Sequence, residues 1–150
     1  MGFGECAAHI ILFIAVVIVA SSLSVMMATT VQKISIGMEQ QGNRVQKLLT
    51  TDFEIINDPT NIPTKTIGTS TAYVFYVKNT GTDAFTFTNR SLTVLIDGDI
   101  ISPSSVLTSP SVLNPGQTGE VDVITNLTTG YHSIKIVLYD GVSSNLNFEI

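Results

Sequence analysis

The chain has 150 residues, 44% of them hydrophobic and 13% charged, and carries a formal net charge of −5. Such an acidic chain offers no basic patch to neutralise a nucleic-acid backbone, which excludes nucleic-acid binding from the roles to consider. Cys6 is the single cysteine, so no intrachain disulfide can form, and Cys6 is expected to behave as a small apolar residue.

Residues 7–31 read AAHIILFIAVVIVASSLSVMMATTV and contain no charged side chain. As a helix rising about 1.5 Å per residue they span roughly 37 Å, more than the roughly 30 Å hydrocarbon core of a bilayer. Eleven Leu, Ile, Phe or Val residues lie between Ile10 and Val25. Together they contribute roughly −3 to −7 kcal/mol toward insertion, which Ser21, Ser22, Ser24 and His9 reduce without reversing. Residues 1–31 are therefore predicted to be a membrane anchor or the core helix of a filament. A removable signal fits less well, because Met1–Glu5 has no Lys or Arg and the apolar run exceeds the roughly 15 residues such signals use.

Glu5 is the one carboxylate at the mouth of this run. Phe3-Gly4-Glu5 is similar to the start of type IV pilin-like proteins, in which a glutamate packs against a neighbouring subunit. The alternative is a solvated carboxylate favoured by the helix dipole.

Beyond Val31 the apolar positions narrow to one stripe. Met27, Val31, Ile34, Met38, Gln41, Val45 and Leu48 recur at spacings of four and three, which places them on one helix face. Residues 32–50 are predicted to form an amphipathic stalk, with Val31, Ile34, Met38, Val45 and Leu48 packing on another subunit. Gly37 and Gly42 weaken it by roughly 1 kcal/mol each relative to Ala.

From residue 51 onward the period becomes two. Ala84–Thr88, Leu92/Val94/Ile96, Val121/Val123, Ile134/Ile136/Leu138 and Leu146/Phe148/Ile150 alternate as half-buried strands do. Tyr73–Val77 is apolar on both faces, as expected of a central strand or a contact surface. Asn57-Asp58-Pro59, Asn79-Thr80-Gly81, Asp97-Gly98, Asn114-Pro115-Gly116 and Asp140-Gly141 supply turns between these runs. Residues 51–150 are thus predicted to be an all-β, immunoglobulin-like antiparallel β-sandwich of seven or eight strands. Tyr131 opens the penultimate strand, where its hydroxyl could bond back to the backbone as a tyrosine corner does.

Titratable groups that could converge on a reaction are scarce. No Gly-x-Ser-x-Gly elbow, phosphate-cradling glycine loop or His-Glu-x-x-His helix is present, so no catalytic residue, cofactor or metal is expected. Asp97-Gly98-Asp99 holds two carboxylates suited to calcium, but a hairpin turn accounts for them. Asn89-Arg90-Ser91 and Asn126-Leu127-Thr128 match the N-glycosylation triplet, making Asn89 and Asn126 candidate acceptors if the domain is outside the cell.

Lys33, Arg44 and Lys47 follow the apolar run, and by the positive-inside rule alone would retain the following domain in the cytoplasm. The acidic, Ser/Thr-rich sandwich argues the opposite, and an extracytoplasmic domain is the expectation.

The chain resembles the archaeal flagellar protein G (FlaG) family of archaellum accessory proteins. The likeness is carried by Glu5-Cys6-Ala7 through Ala20-Ser21-Ser22, Phe53-Glu54-Ile55-Ile56-Asn57-Asp58-Pro59, Phe75-Tyr76-Val77-Lys78-Asn79-Thr80-Gly81, Ile96-Asp97-Gly98 and Asn114-Pro115-Gly116. It implies a non-enzymatic stator or scaffold, anchored in the membrane by the N-terminal helix. With the sister protein FlaF it would hold the motor to the S-layer of the cell envelope. It also implies a capacity for self-association. The expected partner surface is an exposed strand edge, or an aromatic patch at Tyr73 and Tyr76. Two other readings are a filament-forming archaellin or pilin-like subunit and a membrane-tethered, glycan-binding adhesin.

Overall fold

A computed structural model describes residues 2–150. It consists of one α-helix, α1 (Gly2–Thr50), followed by strands β1 (Phe53–Ile55), β2 (Thr64–Ile67), β3 (Ser70–Asn79), β4 (Phe85–Thr86), β5 (Leu92–Ile96), β6 (Asp99–Ile100), β7 (Val106–Ser109), β8 (Val112–Leu113), β9 (Thr118–Ile124), β10 (Tyr131–Leu138) and β11 (Ser143–Glu149), with a single 3-10 turn at Pro103–Ser105. The chain divides into two compact units, the first ending at Arg44 and the second running from Val45 to Ile150.

In α1 the hydroxyls of Ser21, Ser22, Ser24, Thr29 and Thr30 each donate to a carbonyl three or four residues earlier at 2.6–2.9 Å. Polar side chains inside the apolar run are thereby satisfied within the helix, which is what a hydrocarbon environment demands. Gly37 and Gly42 leave the helix unbroken. The helix is long and apolar enough to cross a membrane, and its apolar window is wholly uncovered.

The second unit is an antiparallel β-sandwich. One sheet has the order β1-β3-β9-β7 with β2 also on β3, the other β11-β10-β5-β6, and β4 pairs with β8 alone. The alternation seen in the sequence sets the faces: Leu92, Val94, Ile96, Ile134, Ile136 and Leu138 turn inward from one sheet, and Phe75, Val77, Val121 and Val123 from the other. Phe75 and Phe148 meet edge to face across this core, ring centres 5.4 Å apart. Every buried member of the core cluster lies between Phe53 and Phe148.

Asp97-Gly98 forms the two-residue turn between β5 and β6, both residues at positive φ (54° and 92°), as a type I′ turn requires. β2 has no counterpart in the sequence pattern. Its residues Thr64–Thr66 are all exposed, so no alternation marks it.

One edge of β3 is saturated by three segments in succession. β2 pairs with residues 70–73 and β1 with residues 77–79. Between them Val74 N–H donates to Pro63 O, Ile56 N–H donates to Tyr76 O, and the Asn57 side chain completes the row. Its Nδ2 donates to Val74 O at 2.9 Å and its Oδ1 accepts from Tyr76 N–H at 2.6 Å. This accounts for the polar backbone along that edge.

The last helical turn belongs to the sandwich unit. Thr50 O accepts from both Thr82 N–H (2.9 Å) and Asp83 N–H (3.2 Å), and Asp52 O accepts from Thr80 and Gly81 N–H. A Cβ on Gly81 would run into Thr50 O and lie 2.5 Å from Asp52 N, so only glycine permits this approach. Asn79, fully buried, organises the same corner. Its Nδ2 donates to Asp83 O and Leu113 O, both at 2.9 Å, while its Oδ1 accepts from Gly81 N–H.

Candidate interaction surfaces

The predicted packing residues of the helix, Val31, Ile34, Met38, Val45 and Leu48, are all exposed, Met38 to 71%. Glu5 lies in the first turn of α1, and its carbonyl accepts a hydrogen bond from His9 Nδ1 at 2.7 Å. Cys6 is exposed on the same helix.

On the β-domain the expected aromatic patch divides. Tyr73 is only 8% exposed and belongs to the core cluster, whereas Tyr76 is 36% exposed. Residues three apart on a strand face opposite ways, so Tyr73 is removed from the candidate surface and Tyr76 stays. Tyr131 is 83% exposed, and among the described residues its hydroxyl makes no hydrogen bond, so no tyrosine corner forms. The parity of β10 explains this: Ile134, Ile136 and Leu138 face inward, leaving Tyr131 on the outer face. Tyr139, also exposed, lies beneath Lys47 Nζ, 4.6 Å from its ring centre. The Tyr139 hydroxyl, with the nearby charges of Asp140 and Asp83, holds the Lys47 amine above its ordinary value.

Two polar clusters carry no local sequence signal. At one, Lys65 Nζ of β2 reaches across β3 to Glu120 Oε1 at 2.8 Å and Asp122 Oδ2 at 3.3 Å on β9. Burial pushes the Asp122 carboxyl up, with Glu120 adding to the effect, while the Lys65 ammonium holds Glu120 down.

At the other, His132 Nδ1 lies 2.6 Å from Asp97 Oδ2 and Nε2 lies 2.7 Å from Thr128 O. The Asp97 carboxylate and the Thr128 carbonyl both accept, so the site is built for the doubly protonated ring, in which both nitrogens donate. The Asp97 carboxylate and the Thr128 carbonyl accordingly raise the His132 pKa, and His132 with Ser133 N–H lowers that of Asp97. With both nitrogens occupied, His132 has no free lone pair to act as a base. Asp97 is likewise engaged by His132 and by Ser133 N–H at 2.7 Å, and no group of three metal-type ligands gathers among the described residues. These groups build a structure; they do not converge on a reacting centre.

The two candidate glycan acceptors differ in setting. Asn89 is half-buried and its amide donates to Pro103 O at 3.0 Å, whereas Asn126 is exposed in the irregular segment between β9 and β10.

The sequence matches the archaeal-type flagellin family over residues 2–148. It is 41% identical over 139 residues to the putative flagella-related protein G of Methanocaldococcus jannaschii, covering 90% of this chain and 88% of that protein. To the protein of the same description from Methanococcus voltae it is 36% identical over 146 residues, covering 95% of each. The fold resembles that of the archaellum periplasmic stator protein FlaG from Sulfolobus acidocaldarius, with a TM-score of 0.51 and 16% identity over 65% of this chain and 99% of that one. FlaG in complex with FlaF from the same organism gives a TM-score of 0.51 and 17% identity, over 65% of this chain and 89% of that one.

Proposed function

We propose that this chain, which belongs to the archaeal-type flagellin family, is a non-enzymatic structural protein of the archaellum and a stationary part of its motor. In this reading α1 anchors it in the membrane and the sandwich stands outside, in the space beneath the surface layer, joined to a FlaF-like partner and through it to the S-layer. The observation that carries the reading is the contrast within one chain. An apolar helix whose side chains are uncovered is continuous with a sandwich whose core is complete without it. Such a helix requires hydrocarbon or other helices around it, while the sandwich is left free to engage the envelope.

The likeness to relatives described as flagella-related protein G, and of the fold to the archaellum stator protein FlaG, supports this role over others. The match of residues 2–148 to flagellins favours a second reading, a filament subunit whose helices pack along Val31, Ile34, Met38, Val45 and Leu48, with Glu5 against a neighbour. Quantitative immunodetection separates the two. A stator remains with the membranes after shearing, at a few copies per motor, and co-purifies with a FlaF-like protein. Recovery of thousands of copies in the sheared filaments would replace the stator by the filament subunit.

A further inference from the structure

We infer that Asn126, and not Asn89, is the acceptor of an N-linked glycan. The inference rests on the extracytoplasmic placement proposed above. In the reaction the Asn side-chain nitrogen bonds to the anomeric carbon of a lipid-linked sugar phosphate as the bond from that carbon to the phosphate oxygen breaks. The nitrogen gives up one proton and the lipid phosphate leaves, with no change of oxidation state. The acceptor amide must be free, and so must the hydroxyl two residues on, by which the triplet is recognised.

The two triplets differ on both counts. Asn89 Nδ2 is committed to Pro103 O at 3.0 Å. Ser91 Oγ lies 2.8 Å from Thr86 O and accepts from Thr88 N–H at 2.9 Å. Exposing this triplet to an enzyme would dismantle the turn that leads into β5. Asn126 and Thr128 are exposed, and neither the Asn126 amide nor the Thr128 hydroxyl has a hydrogen-bond partner among the described residues.

Position reinforces the difference. Leu127 packs against the core, and Thr128 O accepts from His132 Nε2 at 2.7 Å. The backbone of the triplet is thus fixed at its middle and end while its two reactive side chains stay free. The segment follows Ile124, which pairs with Ala72, whereas Thr50 meets the sandwich beyond Asn79. Seven residues of strand, roughly 23 Å at about 3.3 Å per residue, therefore separate this pole from the last helical turn.

The test uses the full-length chain in an archaeal cell that glycosylates its own surface-layer protein. Proteolytic peptides from the parent, Asn126→Gln and Asn89→Gln chains are weighed by mass spectrometry, and a Ser143→Cys variant is labelled with an impermeant thiol reagent. Ser143 is exposed at the start of β11; Cys6→Ser in the same chain removes the other thiol. The expected result is a glycan on the Asn126 peptide at more than tenfold the occupancy of the Asn89 peptide. Asn126→Gln removes it, Asn89→Gln does not, and intact cells label at position 143. Intact-cell labelling with an unmodified Asn126, or with Asn89 preferred, overturns the inference alone. Labelling only after lysis, with both asparagines bare, overturns the placement and the glycan together.

Discussion

The helix and the sandwich meet the same two demands, paired backbone and covered apolar surface, in opposite ways. In α1 the interior backbone groups find their partners within a turn, yet the apolar side chains from Ile10 to Met27 stay uncovered. In the sandwich the backbone partners come from distant segments, Phe53 from Asn79 and Tyr73 from Val123, and the apolar side chains enclose one another. The helix is locally determined but depends on its surroundings for a solvent. The sandwich depends on its whole sequence but carries its own core. Only the second can be stable as a dissolved body.

On the membrane anchoring proposed above, the largest expected effect comes from making the apolar run of α1 hostile to hydrocarbon. Arginine costs roughly 2.5–3.5 kcal/mol at a helix centre, so Val16→Arg with Val19→Arg removes roughly 5–7 kcal/mol, the whole calculated drive to insert. Fractionation should move the double variant out of the membrane pellet while the circular dichroism of the sandwich is unchanged. A variant still in the pellet would show that a partner, not lipid, holds the chain.

The complementary break is in the core. Phe75→Ala removes a fully buried ring packed on Phe148 and is expected to cost about 3–5 kcal/mol in denaturant unfolding. The same variant should leave membrane retention intact, because the proposed anchor does not draw on the sandwich.

A smaller effect tests the seam between the two modes. Gly81→Ala forces a methyl group against Thr50 O and Asp52 N and is expected to cost about 1–3 kcal/mol. Protease cleavage should then rise first around residues 50–52. Cleavage elsewhere would mean that the helix end is not held by this corner.

The gentlest probe is pH. His132 has its folded pKa raised by Asp97 and Thr128, so its contribution is fully present below its unfolded value, about 6.5. It is lost as pH rises through the raised folded value. Asp97, lowered by the same bond, contributes above its unfolded value of about 3.9 and loses this as pH falls. Denaturation midpoints of the parent should therefore decline from neutral toward alkaline pH. His132→Gln should lack that decline.

The fold was legible where side chains report their own environment. Alternation marks β5, β9, β10 and β11 because one face of each is buried, and Asp97-Gly98 marks its hairpin because few residues tolerate positive φ. β2 escaped notice because an exposed edge strand has no face to bury. The surface was less legible. Tyr73 and Tyr76 look equivalent as neighbours in an apolar run, and strand parity sends one into the core. Tyr131 invites a corner hydrogen bond by position, yet its parity puts it in solvent. The His132–Asp97 and Lys65–Glu120–Asp122 clusters join residues 35 to 57 positions apart, separations at which only the folded chain shows who meets whom.

Asn57 carries a consequence for assembly. By lending its amide to Val74 and Tyr76 it imitates one more strand residue and stoppers the notch between β1 and β2, so β3 has no backbone left in that gap with which to zip onto another chain. The opposite flank, β7, is four residues long with Pro103 and Pro110 close on either side, which blunts it as a template in its turn. Strand addition by another copy or a partner is thereby steered away from β3 and toward the terminal strands of the sheets, such as β2 and β11, a joint that can be remade without opening the sandwich.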